Sequence, residues 1–220
     1  PENHLIFMTG PITATGAQGA SRFSITGKSP MLMPEGFCYG NMGGYWGASL
    51  KRAGFDGLMV SGKAQEPAYL FISDGNATIK DASKIHLEGV KKVQAYLHQT
   101  HGKKTHFITT GPAGMNLCRN ANLMTDNEGS ATGGFGAVLG AKNLKAIAVI
   151  GTQSPRVSNP AMLKELNQLT IKLNKRDTSF NPYPPDQITR KGKAACFQCG
   201  LDCVMRSTYK TQSNREVVRK

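Results

Sequence analysis

The sequence predicts an α+β fold, in which a β-rich N-terminal domain (residues 1–151) is followed by the beginning of a helical domain (residues 152–220). Two observations support this prediction. The first 151 residues contain short apolar runs that end in turn-forming residues, whereas a helical repeat of apolar residues follows them. All but two of the 25 glycines lie at or before Gly151, so the composition changes at the same place.

Short apolar segments bounded by turn residues predict the strands of the first domain. The clearest signal is Asp74-Gly75, because this dipeptide favours a two-residue turn and predicts a hairpin between residues 68–73 and 76–80. The alternation in residues 22–30 predicts a strand that has Arg22, Ser24 and Thr26 on one face. The other predicted strands are Leu5–Met8, Leu58–Val60, Phe107–Thr109 and Leu144–Ile150.

Two helices are predicted, one in each domain. Residues 87–97 have apolar side chains near helical spacing in a glycine-poor stretch, and this is the one helix expected before Gly151. The second helix begins after Ser158-Asn159, where Pro160 can occupy the first helical position. Residues 174–193 contain a proline cluster and a basic run, so we expect a loop there.

Composition and charge exclude several classes of protein. A hydrophobic content of 39% allows a core, and the longest aliphatic stretch, residues 146–150, is too short to span a membrane. No signal peptide opens the chain, which we interpret as a fragment of a cytoplasmic protein. The net charge of +13 favours an acidic electron carrier as partner. No base-reading motif accompanies this charge, so a nucleic-acid partner is not expected.

Three cysteines, Cys196, Cys199 and Cys203, have the spacing C-x2-C-x3-C, which can direct three thiols towards one point. Such a set is typical of an iron–sulfur cluster, and a [4Fe-4S] cubane would need one further, remote ligand. Zinc is the competing metal, although no second Cys or His pair has the spacing of a zinc knuckle. The remaining alternative is a buried helix face lined by small cysteines.

The two other cysteines, Cys38 and Cys118, are each isolated in the glycine-rich region. Either would have to leave a β-rich domain to reach the triplet. We therefore expect both to be ordinary thiols and the fourth cluster ligand to be a cysteine after Lys220.

Glycine-rich loops in the first domain could bring backbone close to a flat or anionic ligand. Residues 132–140 contain G-x-G-x3-G, but Leu144 already begins the next predicted strand, which leaves no room for the crossover helix of a dinucleotide-binding fold. Tight turns are the alternative explanation of these loops. Arg22 beside Ser24 and Thr26 is suited to a phosphate, and a solvated strand face is the alternative there.

Taken in order, these loops resemble the N-terminal domain of the tungsten-containing aldehyde:ferredoxin oxidoreductase family. The segments that carry the resemblance include Thr9–Thr13, Arg22–Pro30, Asn41–Gly47, Gly111–Gly114 and Gly133–Gly151. The cysteine triplet falls where that family binds its [4Fe-4S] cluster.

The resemblance implies a base for a tungsten (or molybdenum) bis-pyranopterin, with Arg22, Asn41 and Gly43 at positions that contact the pterin. It also implies oxidation of a small aldehyde to a carboxylate, with electrons passed to ferredoxin or another iron–sulfur subunit. The family's acid and base residues lie in domains beyond this sequence, so no catalytic residue is assigned. The oligomeric state is left open.

Two positions depart from the family pattern. Glu128 and Thr132 stand where the family has arginines, and a carboxylate is unfavourable near phosphates. An alternative is therefore a non-catalytic iron–sulfur relay that has lost the pterin. A further alternative is a family member that acts on an aromatic acyl-CoA.

Overall fold

Thirteen strands and five helices make up the described part of the chain, which in this computed structural model comprises residues 2–127, 129–173, 188–193, 195–200, 205–210 and 216–219. The strands are β1 Leu5–Thr9, β2 Phe23–Ser29, β3 Gly36–Met42, β4 Gly57–Val60, β5 Ala68–Ser73, β6 Asn76–Asp81, β7 His106–Thr110, β8 Leu123–Thr125, β9 Ser130–Ala131, β10 Leu144–Ile150, β11 Ile188–Lys193, β12 Met205–Lys210 and β13 Glu216–Arg219. The helices are α1 Trp46–Arg52, α2 Val90–His101, α3 Pro112–Met115, α4 Phe135–Ala141 and α5 Pro160–Leu173. No helix in this part of the chain has both the length and the apolar character that crossing a membrane requires.

Two sheets form the N-terminal region, and the α+β fold class predicted from the sequence is confirmed. The first sheet is antiparallel with the order β3-β2-β1-β4. The second has the order β6-β5-β10-β7-β8-β9, and β10 runs parallel to β5 but antiparallel to β7. A separate three-stranded antiparallel sheet has the order β11-β12-β13.

The main core joins the first two sheets, with α1 and α4 contacting strands of both. Trp46 is completely buried, packs against Phe7 and Phe23, and donates its indole N–H to the carbonyl oxygen of Ile147 at 3.0 Å. A second core, which includes Val93 and Leu97, holds α2 against the second sheet. Trp46 therefore links the first sheet to the central strand of the second.

The alternation of β2 agrees with the prediction: Phe23 and Ile25 are buried, whereas Ser24 and Thr26 are partly exposed. The hairpin at Asp74-Gly75 is also confirmed. Both turn residues have positive φ, 36° and 86°, and Ser73 pairs with Asn76 across the turn. These angles match the turn type that Asp-Gly favours.

Three short helices, α1, α3 and α4, were not predicted. They lie in glycine-rich segments, whereas the one helix expected before Gly151 was α2. The reason is visible where α3 meets α4. A Cβ added at Gly114 would lie 2.6 Å from the carbonyl oxygen of Gly136, and one at Gly140 would lie 2.6 Å from the carbonyl carbon of Gly114. Here glycine permits close packing of backbone segments, so its low helix propensity is overridden by tertiary contact.

Two further expectations need correction. The helix predicted over residues 87–97 begins at Val90, and Leu87 is exposed before it. The predicted loop 174–193 ends in strand β11, while residues 174–187 lie outside the described residues. The basic run is compatible with a strand because β11 is at the edge of its sheet, where lysine and arginine are common.

Lys145 is a buried cation in β10. Its Nζ donates to the carbonyl oxygens of Glu88 at 2.8 Å and Thr110 at 2.7 Å. Burial lowers the pKa of this amine from 10.5 to about 8. The two carbonyl acceptors stabilise the ammonium form below that pH.

The lowered pKa of Lys145 predicts how stability depends on pH. Between about pH 8 and 10.5 the unfolded chain keeps a proton that the folded chain has lost, so the free energy of unfolding rises with pH there. The rise from this residue is at most roughly 3 kcal/mol. In urea titrations across that range, Lys145→Met should lose this part of the rise. The exposed control Lys28→Met should keep it, and an unchanged slope in Lys145→Met would contradict the prediction.

Candidate cofactor and cluster site

Arg22 and Asn41 form a pair at the end of the first sheet. Arg22 comes directly before β2, and Asn41 pairs with Ser24 in the β2–β3 ladder. The Arg22 Nε donates to the Asn41 side-chain oxygen, and Nη2 donates to the Asn41 carbonyl oxygen at 3.0 Å. Both residues are exposed, so the guanidinium is oriented by the protein and accessible to an anion.

Gly43 brings this pair next to the cysteine segment. A Cβ added at Gly43 would lie 2.9 Å from the Cys196 Sγ and 3.7 Å from the Arg22 Nη1. The missing side chain therefore leaves space that the Cys196 thiol and the Arg22 guanidinium both border. Arg22, Asn41 and Gly43 are far from Cys196 in sequence but form one site with it, which we call the junction.

Cys196 and Cys199 lie at the two ends of a tight turn. The Cys199 N–H donates to the Cys196 carbonyl oxygen at 3.1 Å. Gln198, at the third position of the turn, has φ of +47°, which an L-residue rarely adopts. Both thiols are half-buried, and a turn of this spacing is compatible with two ligands to one metal centre.

Backbone and amide hydrogen bonds hold the turn against the N-terminal region. The Phe197 N–H donates to the Gly44 carbonyl oxygen at 3.1 Å, and the Gly200 N–H donates to the Gln18 Oε1 at 2.6 Å. The Gln18 N–H in turn donates to the Asn167 Oδ1 at 3.0 Å. Because Asn167 lies on α5 and also donates to the Gly16 carbonyl oxygen at 2.9 Å, three separate segments meet here.

Aromatic rings continue the contact on the other side of the turn. The Phe197 ring meets the Tyr45 ring edge-on, with centroids 6.0 Å apart, and the Arg52 guanidinium lies 5.9 Å from the Phe197 centroid. Tyr45 also contacts His106. The two rings are stacked, and their centroids are 5.1 Å apart. The His106 Nδ1 lies 2.6 Å from the Asp126 Oδ2.

Two residues that the sequence singles out, one as a metal ligand and one as a departure from the family pattern, cannot be compared with the structure. Cys203 and Glu128 lie outside the described residues. Among the residues that are described, no three His, Cys, Asp or Glu side chains form a group that could hold a metal ion. The three-cysteine ligand set therefore stays a prediction.

The two isolated cysteines lie in different surroundings from the triplet. Cys38 is on β3, three residues from Asn41 and hence on the opposite face of the strand, where it packs against the main core. Cys118 is exposed. Their assignment as ordinary thiols stays a prediction.

The residues of the junction and the adjoining Cys199 are suited to the two groups expected above, the cluster from the cysteine spacing and the pterin from the resemblance. Two thiols at the ends of one turn are suitable ligands for an iron–sulfur cluster, since these clusters are bound by thiolates. Beside them, Arg22 provides an exposed charge, and Gly43 leaves space that a Cβ would fill. This combination suits a polyanionic group bound next to a thiolate-bound cluster.

Several residues of the site carried no usable sequence signal. Gln18 and Asn167 meet only because α5 packs against the loop that contains Gly16. The His106–Asp126 pair depends on the register of β7 with β8. Because Thr125 pairs with Ile108, the next residue, Asp126, comes close to His106 near the start of β7. Such pairings depend on tertiary structure and have no fixed spacing along the chain.

Comparison with known proteins gives one family match and several relatives. The family model described as "Aldehyde ferredoxin oxidoreductase, N-terminal domain" matches residues 1–151. The chain is 43% identical over 162 residues to a tungsten-containing aldehyde ferredoxin oxidoreductase of Pyrococcus furiosus, a match that covers 72% of this chain and 26% of that protein. It is 41% identical over 180 residues to the protein of the same name from Pyrococcus abyssi, covering 80% of this chain and 29% of that one.

More distant similarities extend this comparison. An aliphatic sulfonate oxidoreductase, WOR-like subunit, from Pyrococcus furiosus is 34% identical over 180 residues, covering 75% of this chain and 28% of that protein. The chain thus spans between a quarter and a third of these relatives. In the solved structure titled "Active site complex BamBC of Benzoyl Coenzyme A reductase in complex with 1,5 Dienoyl-CoA", a chain with a TM-score of 0.80 and 23% identity matches 99% of this chain and 40% of its own length. That likeness supports the fold.

The close approach at Gly43 gives a prediction for metal content. In Gly43→Ala the new methyl group would collide with the Cys196 Sγ, which can move away only by turning the thiol from its present direction. We expect this variant of the full-length protein to lose most of its bound iron, measured per chain after purification without oxygen. The control is Gly111→Ala, where a Cβ meets no atom within 4 Å. Equal iron in the two variants would contradict the role assigned to Gly43.

Proposed function

The chain belongs to the aldehyde ferredoxin oxidoreductase family, and we propose that it forms the cofactor-binding base of a cytoplasmic oxidoreductase that converts an aldehyde to a carboxylate. The observation that carries this proposal is the junction. Arg22, Asn41 and Gly43 meet Cys196 there, although their roles were assigned from separate parts of the sequence. A pterin site beside a cluster site suits a protein that passes electrons from one group to the other.

The proposed ligands follow from the residues that meet at the junction. Cys196 and Cys199, with Cys203 and a cysteine beyond Lys220, would hold a [4Fe-4S] cluster. Arg22, Asn41 and Gly43 would hold a tungsten or molybdenum bis-pyranopterin. When bound, the metal supplies a two-electron oxidant for the substrate, and the cluster accepts electrons singly.

Within the overall reaction, aldehyde and water give carboxylate, three protons and two electrons. The electrons leave one at a time to two molecules of an oxidised iron–sulfur carrier, such as ferredoxin or a partner subunit. Asn41 orients the Arg22 guanidinium, and that charge binds an anionic part of the cofactor. The formal charge of +13 would attract an acidic carrier.

One observation supports a second candidate function, a relay that keeps the cluster without the pterin. Thr132 is exposed and neutral where the family has an arginine. Loss of that cation would weaken binding of a polyanionic cofactor. The relatives named above are named for aldehydes and for an aliphatic sulfonate, so family membership by itself does not specify the substrate.

Metal analysis separates the two candidates. For the full-length protein, we expect about one tungsten or molybdenum atom and four iron atoms per chain. Iron without tungsten or molybdenum would favour the relay, and protein that binds neither metal would overturn both candidates.

Replacing Cys38 and Cys118 together with alanine should leave the iron content and the visible spectrum unchanged.

Arg22→Ala tests the pterin contact directly. The substitution removes the charge and both hydrogen bonds to Asn41, so the pterin and tungsten content should fall severalfold while the iron content remains. Lys28→Ala is a matched control, because Lys28 is an exposed cation on the same strand pair. If both variants keep full pterin content, Arg22 does not bind the cofactor.

A further inference from the structure

His106 and Asp126 form a pair that the proposed function leaves unused. The His106 Nδ1 lies 2.6 Å from the Asp126 Oδ2, and only 9% of the aspartate side chain is exposed. The second oxygen of Asp126 is buried with no hydrogen-bond partner among the described residues. The aspartate therefore makes its side-chain hydrogen bond with His106, which fixes the orientation of the imidazole ring.

The fixed ring supports a series of contacts that ends at the cysteine turn. The His106 ring is stacked on Tyr45, with an interplanar angle of 16°. Tyr45 meets the Phe197 ring edge-on at 85°, and Phe197 lies between Cys196 and Cys199. Aromatic rings prefer stacked and edge-on geometries, so these contacts favour one orientation of the turn.

We propose that His106 and Asp126 are positioning residues for the cysteine turn, and that they act through Tyr45 and Phe197 to set the reduction potential of the group that the cysteines bind. Asp126 orients His106, His106 supports Tyr45, and Tyr45 holds Phe197. The orientation of the turn determines which backbone N–H groups face the sulfur atoms and how much solvent reaches them. Both factors tune the potential of an iron–sulfur cluster.

This inference rests on the proposed cluster and concerns its potential rather than its presence. The alternative is that the pair only stabilises the junction between β7 and β8. In that case its removal would lower stability and leave the properties of the cluster unchanged. The potential and the spectrum of the reduced cluster therefore distinguish the two roles.

The test uses the full-length protein with its cluster. His106→Ala, Asp126→Ala and Tyr45→Leu should each retain iron but change the ratio of reduced to oxidised cluster about tenfold at a fixed applied potential, which is a 59 mV shift for one electron. The electron paramagnetic resonance spectrum of the reduced cluster should change with it. Asp126→Asn keeps an oxygen that can accept a hydrogen bond from His106, so it should restore both properties.

His101→Ala is a matched control. His101 is stacked on Phe71 at 3.8 Å and lies 2.9 Å from the Tyr69 hydroxyl, and it is on α2, which packs on the second core. This variant should match the wild-type protein in potential and spectrum. If the three test variants retain iron and also match the wild type, the inference is overturned and the proposed function remains. If the wild type binds no iron, both are overturned.

Discussion

The close approach of Cys196 to Gly43 is the constraint on which the candidate site depends. A side chain at this position would occupy the space taken by the thiol, so the cysteine turn can lie beside Arg22 only because residue 43 has no Cβ. The hydrogen bond from the Phe197 N–H to the neighbouring Gly44 carbonyl oxygen fixes the turn at the same place. Gly43-Gly44 thus joins the end of the first sheet to the cysteine turn, about 150 residues further along the chain.

Glycine has two distinct structural roles in this fold. At Gly43 it leaves room for a functional side chain, whereas at Gly114 and Gly140 it lets two short helices pack with their backbones nearly in contact. Glycines with these two roles have similar sequence surroundings, since both occur in segments rich in small residues. A glycine-rich loop is therefore weak evidence for a ligand until the group that occupies the vacated space is known.

Local signals predicted much of the fold but little of how the site is held together. Asp74-Gly75 determines its own hairpin because the required φ angles belong to the dipeptide itself, and the alternation of β2 follows from one buried face. Of the residues at the junction, Asn41 and Gly43 were found through a resemblance, and Arg22 also through the alternation of its strand. Their meeting with Cys196 results from tertiary packing, as do the α3 and α4 helices and the His106–Asp126 pair.

The strength of the contacts around the turn has a consequence for how the site would assemble. The hydrogen bonds to Gly44 and Gln18 contribute about 1 kcal/mol each, and the ring contacts a similar amount. Ordering the backbone of each residue in the turn costs roughly 1–2 kcal/mol, and Gln198 must also adopt a positive φ. Over the whole turn the ordering costs exceed what these contacts contribute, so the protein contacts favour one position for the thiols without holding them there strongly. Binding of a metal cluster would add the missing free energy, because ligand binding to an ordered site stabilises that order.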